Sequence, residues 1–324
     1  MKWAKKQRKF FDYETKNKMR RKTITITVLT AGIALVAFFW SDIKGAAGSF
    51  TPGDSKEKII AGSKQDKATE AASPGVSIKN KWEMPAVLAE ISGVSHIADD
   101  QFACVQDELG KIFIYNTQTS AIEKEIPFAA PGDYEGLAVV DETAWVLRAD
   151  GSLFEISDFK NKPVVKEYNT HLTAKQNAEG LCYDKNNNRL LVAIKDEEPG
   201  NPDYKGIYSF DLGAKRMPEQ PVFKIDMTDD VFSKSGSKKK KGGDIKPSAI
   251  AVHPATGDIY ITDGPEAKLL VLNKEGSIKK LYQLNGKEFA QPEGITFKTT
   301  GELYISNEGS KQSGNILHVV ISEE

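Results

Sequence analysis

A repeat constrains this chain more than any other feature of its sequence. Five segments open alike: Ser92-Gly93-Val94, Glu135-Gly136-Leu137-Ala138, Glu179-Gly180-Leu181, Ser248-Ala249-Ile250-Ala251 and Glu293-Gly294-Ile295. Their first residues lie 43, 44, 69 and 45 positions apart. The long interval is one period plus an insertion, visible between Asp196 and Lys246 as GNPDYKG and then SKSGSKKKKGGD. A period of this length marks a supersecondary unit that buries its apolar faces against neighbouring copies of itself.

Each unit reads as short strands split by turns. The fourth is the clearest: PSAIAVHP, a turn at ATGD, IYITDG, KLLVL, a turn at KEGS, and IKKLYQL. Apolar runs of this length bounded by Gly, Asp and Asn predict strands. Nothing after residue 41 carries a 3.6-residue apolar period of helix length. Four strands per unit is the pattern of a propeller blade. The prediction is therefore an all-β, five-bladed β-propeller over residues 81–324. The fifth unit supplies GELYIS and NILHVVIS but no further strand. Trp82–Ala89, ahead of the first unit, is expected to fill that place and leave the ring no open edge.

The segment before residue 81 is different in kind. Residues 1–22 hold ten Lys/Arg against two Asp/Glu, although the whole chain is near neutral at −1. Thr23–Trp40 follows as 18 residues without an ionisable side chain. As a helix it would span about 27 Å, just enough for a hydrocarbon core. The flanking charge puts residues 1–22 in the cytoplasm and the propeller outside. A cleaved signal peptide is the alternative, with small residues at Gly45-Ala46-Ala47-Gly48. Residues 41–80, rich in Gly, Ser, Ala and Lys, read as a flexible linker. The expected location is the cell (inner) membrane, single-pass, with the propeller extracytoplasmic and periplasmic in a double-membrane bacterium. Near-neutral charge gives no reason to expect nucleic acid as a partner. Cys104 and Cys182 fall at non-equivalent places in their repeats, so two buried free thiols are expected.

Propeller geometry gathers side chains near the axis. The first strand of each blade is innermost, which brings Ser92, Glu135, Glu179, Ser248 and Glu293 together. Acids that end the second strands lie on the same face, among them Asp107, Asp150, Asp196, Asp263 and Asn307-Glu308. Arg148 and Lys195 are the nearest cations in sequence. Converging carboxylates either take up protons or gather a cation. Oxygen donors without His or Cys favour a hard ion, and a flexible cage favours Ca²⁺. Glu135, Glu179 and Glu293 are the expected metal ligands, with Asp263 and Asn307 as secondary candidates. The competing reading makes Glu-Gly simply the start of each inner strand, with Gly permitting close approach at a crowded axis.

The DYEGLAVV, NAEGLCYD, IKPSAIAVHP and QPEGITF starts, with the IYITDG and LYISNEG strand ends, resemble the SdiA-regulated (YjiK-like) bacterial family. The resemblance covers about residues 82–324. It implies a membrane-proximal N-terminus, a five-bladed propeller related to NHL repeats, a bound calcium ion and no established catalysis. The insertion at 196–246 is longer than the family needs.

The expected function is ligand binding on a calcium-stabilised scaffold, with a protein or small ligand at the acidic face. The alternative is a calcium-dependent hydrolase of esters, lactones or phosphate esters. No GxSxG, HExxH or Walker A motif occurs, and His96, His171, His253 and His318 form no spaced pair. Tyr134 and Tyr204 are expected in loops of the acidic face as ligand contacts, while Trp82 and Trp145 are expected to pack between blades. Lys238–Lys241 reads as a solvated loop.

Overall fold

A computed structural model describes residues 75–322, apart from 197, 199, 202, 234–244, 310 and 311. The expected cytoplasmic segment, membrane helix and most of the linker fall outside the described residues. Among those described, no helix is long and apolar enough to cross a membrane.

β1 (Val76–Glu83) precedes four complete hairpin series. The first blade is β2 (Ile91–Ala98), β3 (Gln101–Gln106), β4 (Lys111–Asn116) and β5 (Ala121–Pro127). The second is β6 (Tyr134–Val140), β7 (Thr143–Arg148), β8 (Leu153–Ser157) and β9 (Val164–Tyr168). The third is β10 (Ala178–Asp184), β11 (Arg189–Ile194), β12 (Tyr204–Asp211) and β13 (Phe223–Asp226). The fourth is β14 (Pro247–Val252), β15 (Ile259–Asp263), β16 (Lys268–Leu272) and β17 (Ile278–Gln283). The fifth has β18 (Pro292–Phe297), β19 (Leu303–Asn307) and β20 (Asn315–Ile321), and its outer strand is β1. The innermost strands pack side by side around the ring, with β18 against β2.

The closing strand is thus real but lies earlier than the expected Trp82–Ala89: it runs over Val76–Glu83, and Ala86–Leu88 forms a 3-10 turn. β1 pairs antiparallel with β20 from Val76 opposite Ile321 to Glu83 opposite Asn315. Residues 76–80, assigned above to the linker, belong to the sheet. Their alternation of Ile78 with Ser77, Lys79 and Asn80 is short and mostly polar, as a half-exposed outer strand requires.

Each blade contributes both its faces to the core, because strand side chains alternate. In β7, Ala144 and Val146 join the core shared with the first blade, while Trp145 and Leu147 join that shared with the third. In β16, Leu270 and Leu272 face the third blade, and Leu269 and Val271 face the fifth. Five apolar clusters result, one at each blade interface. Trp145 is buried in one and Trp82 packs against another, as expected. Cys104 and Cys182 are buried free thiols, and burial pushes both pKa values up.

Candidate functional site at the propeller axis

The same irregularity opens every innermost strand. The ladder to the second strand slips between Ile91 and Val94, Tyr134 and Gly136, Ala178 and Gly180, Pro247 and Ala249, and Pro292 and Gly294. The residue inside each slip is Ser92 (with Gly93), Glu135, Glu179, Ser248 or Glu293. A bulge leaves its extra residue out of the ladder and re-aims the side chain. The repeat signature is therefore a bulge signature, and it turns three carboxylates toward the axis.

Glycine after the bulge lets neighbouring blades approach. A Cβ on Gly136 would lie 2.5 Å from Leu181 Cβ and 2.8 Å from the Glu179 carbonyl. One on Gly294 would lie 2.4 Å from the Ser92 carbonyl. The close-approach role expected of Gly is present, and it coexists with the carboxylate ring.

Glu135, Glu179 and Glu293 line a chamber of about 10 Å³ at the axis, with Gly93, Gly136 and Gly294 in its wall. That is room for one water or one ion. Glu179 is 3% exposed and Glu293 6%. Burial pushes the Glu293 carboxyl up to about 7. Burial also raises Glu135, and Glu179 and Asp133 add repulsion. Glu179 is raised by burial despite the opposing pull of Lys195.

Lys195 is the cation of the ring. Its Nζ lies 2.8 Å from Glu179 Oε2, and Glu293, Glu179 and Glu135 together hold its pKa up against burial. It follows directly on β11, so its backbone is fixed: its N–H donates to the Asn177 carbonyl at 2.9 Å. Lys205 Nζ donates to the carbonyls of Lys195 and Asp196 at 2.6 and 2.7 Å. Asn177 Nδ2 donates to Glu179 Oε1 at 2.8 Å. In the sequence Lys195 shows only as a nearby cation. Its position one residue beyond the strand that pairs with Ala178 was the signal available.

The charge count is informative. Among the described residues three carboxylates face one ammonium, leaving two negative charges for two protons or one divalent cation to neutralise. All donors are oxygens, which suits calcium. Among the described residues, no three acidic, imidazole or thiol groups are gathered to hold a metal as they stand. An ion would require the glutamates to converge further and Lys195 to yield its place on Glu179.

The remaining candidates divide. Asp263 Oδ2 accepts from Lys246 N–H at 3.0 Å and Oδ1 from Glu266 N–H at 3.0 Å, so it caps the turn after β15. Asn307 occupies the equivalent place after β18–β19 pairing. It is fully buried and its Nδ2 donates to Asn315 Oδ1 at 2.9 Å, while Oδ1 has no hydrogen-bond partner. Ser248 bridges to the next blade: its Oγ donates to the Pro292 carbonyl at 2.6 Å.

Tyr134 corrects an expectation. It opens β6 rather than lying in a loop, is 1% exposed, and packs edge-on against Phe128 and Phe154. Its hydroxyl donates to the Ala130 carbonyl at 2.7 Å. It offers no surface to a ligand. Tyr204 likewise opens a strand, β12, but is half-buried with Lys224 Nζ 4.3 Å from its ring centre.

A second acidic group lies on the same face between the fifth and second blades. The Asp107 carboxyl is pushed up to about 6 by burial and by Glu90, Glu108, Glu308 and Asp133. Glu308 is raised by burial and by Glu90. Glu90 carries no repeat signal and was not singled out from sequence. The face is acidic, as expected.

A comparison with curated proteins finds no match. Among solved structures, the Myxococcus xanthus glutaminyl cyclase has a TM-score of 0.53 at 14% identity, over 76% of this chain and 97% of that one. A streptogramin B lyase scores 0.46 at 14% identity, over 76% and 99%. Identities this low establish a shared fold for the cyclase and nothing more. The SdiA-regulated family model matches residues 71–312, which takes in four blades and most of the fifth. The chain belongs to the SdiA-regulated family.

Proposed function

We propose that this protein is an extracytoplasmic binding module, held to the cell membrane by residues 23–40, whose axis takes one calcium ion. Its acidic face then presents a protein or small ligand with a scaffold pinned at the centre. The observation that supports this reading is the charge imbalance at the axis: among the described residues, Glu135, Glu179 and Glu293 against Lys195 alone. One divalent ion neutralises the excess and ties three blades together. Glu135, Glu179 and Glu293 would hold it, with the Asn307 carbonyl oxygen as a further oxygen on the same face. Asp263 is retained as a support of the turn beside Glu293. Among the two tyrosines, Tyr204 is kept as a ligand contact and Tyr134 is not.

The test is a thermal melt of the full chain as purified, after chelation, and with Ca²⁺ or Mg²⁺ restored. An ion at 100 times its Kd adds about 2.7 kcal/mol, a shift of a few degrees. Glu135→Gln and Glu179→Gln should abolish the calcium shift while leaving the metal-free melt unchanged or higher. A melt indifferent to chelation and to Ca²⁺, with no metal by elemental analysis, would sink the proposal.

The alternative is a calcium-dependent hydrolase. It draws support from buried carboxylates whose protonation falls near neutral pH, a property shared with catalytic acids and bases. That a glutaminyl cyclase uses this fold means only that it can host catalysis. The small chamber favours binding of an ion over turnover of an organic substrate there. Metal-dependent hydrolysis of generic esters, lactones or phosphate esters, lost in Glu135→Gln, would decide for the enzyme.

A further inference from the structure

A second concave site lies at the opposite end of the fold from the acidic face, where the outer strands of the fourth and fifth blades part. It encloses about 710 Å³, inside the range of about 300–1,000 Å³ typical of small-molecule sites. Its wall is aromatic. Tyr260 and Phe297, both half-buried, stand nearly perpendicular with ring centres 5.0 Å apart, and Tyr282 lines the groove beside them. Its rim is basic: Lys79 comes from β1, and Lys279 and Lys280 from β17, all exposed.

Of the two acids lining the groove, Asp258 is ion-paired and Glu302 contacts uncharged groups. Asp258 Oδ2 lies 2.7 Å from Lys279 Nζ. Glu302 accepts from Thr300 Oγ1 at 3.0 Å and lies 3.7 Å from His318. Lys79 and Lys280 form no ion pair among the described residues. Lys280 Nζ instead sits 4.7 Å from the centre of the Tyr282 ring. Burial holds His253 and His318 below the usual histidine range, so neither adds charge at neutral pH. Two ammonium groups without carboxylate partners among the described residues thus flank a wall of aromatic rings. Lysine is a compact point-charge donor to carboxylate and phosphate, and aromatic walls reward an apolar ring or chain.

We propose that this groove binds a small organic anion, a carboxylate or phosphate carried on an apolar ring or chain. The axial calcium plays no part in it, so the two proposals fail independently. The same chemistry is offered by a soluble aryl anion and by an anionic lipid headgroup, and the test separates them. Saturation-transfer difference NMR on the full chain would use phenyl phosphate, phenol and dihexanoylphosphatidylglycerol below its micelle concentration. Ring signals are expected from phenyl phosphate and not from phenol. Reversing both charges in K79E/K280E should weaken binding about tenfold or more, the value of one lost charged contact. Both residues are exposed, so the variant should keep the wild-type melt; K79Q/K280Q serves as a milder second variant. Saturation by phenyl phosphate alone assigns a soluble anion, and by the phospholipid alone a headgroup. No transfer from either, equal transfer from phenol, or binding unchanged in both variants overturns the proposal.

Discussion

Lys195 decides how the axis behaves with pH. Among the described residues the ring carboxylates, with Asp133, Asp196, Asp263 and Glu308 around them, are countered at the centre by this one ammonium. Because burial raises Glu293 to about 7, the folded protein holds its proton more tightly than the unfolded chain does. Stability from this group is fully present below the ordinary glutamate pKa and is lost as pH rises through about 7. Glu135 and Glu179 act in the same direction. Without metal, stability should therefore fall between pH 5 and 8 by an amount on the order of 2 kcal/mol, read as a falling melting temperature. Glu293→Gln should flatten that slope, which a melt at each pH would read. Removing the cation should do the reverse. Lys195→Met leaves Glu179, 3% exposed, without its ion pair. A loss of about 3 kcal/mol at pH 8 is expected, and less at pH 5, where protons replace the ammonium. An equal loss at both values would mean that Lys195 serves only as packing. At this scale the sequence was partly legible. The glutamates were visible because the repeat displays them. The burial of Tyr134 was not, because a tyrosine before Glu-Gly reads the same in a loop as at a bulge.

The bulge at the head of each inner strand is the element that joins fold to site. It explains why a Glu-Gly pair recurs at one period: the first residue is thrown out of the ladder and the second must yield room to the next blade. Gly136→Ala places a methyl 2.5 Å from Leu181 Cβ and 2.8 Å from a backbone oxygen. It should destabilise by about 1–3 kcal/mol through overpacking. Gly286→Ala, with no atom within 4 Å of the added carbon, is the control and should leave the urea midpoint unchanged. Equal effects would remove the close-approach account. Strand count and order were legible in sequence, since turn residues and apolar runs punctuate each blade. The start of the closing strand was not. Val76–Asn80 lies on the outer edge, with exposed Ser77, Lys79 and Asn80, and an edge strand facing water carries too little apolar signal to stand apart from a linker.

As a whole molecule, the ring is held shut by its two ends. The fifth sheet is complete only when β1 joins β20, and the fifth blade packs against the first through Phe102, Tyr304 and Ile316. Deleting residues 76–83 should uncover β20 and unfold the propeller, seen as loss of the cooperative melt; a folded monomer with the wild-type midpoint would show that closure is dispensable. The sequence made this closure legible as a missing strand, though it could not fix which residues fill it. The clasp also has a direction. β1 enters beside the basic groove and runs to the acidic face, with seven registered pairs to β20 along the way. A pull applied at Val76 and resisted by a partner on the acidic face runs along the strand. It loads all seven pairs in shear at once and does not peel them one by one. A mechanical load in that direction would meet the strongest geometry the joint can offer, whereas the same load applied sideways at Val76 would unzip it.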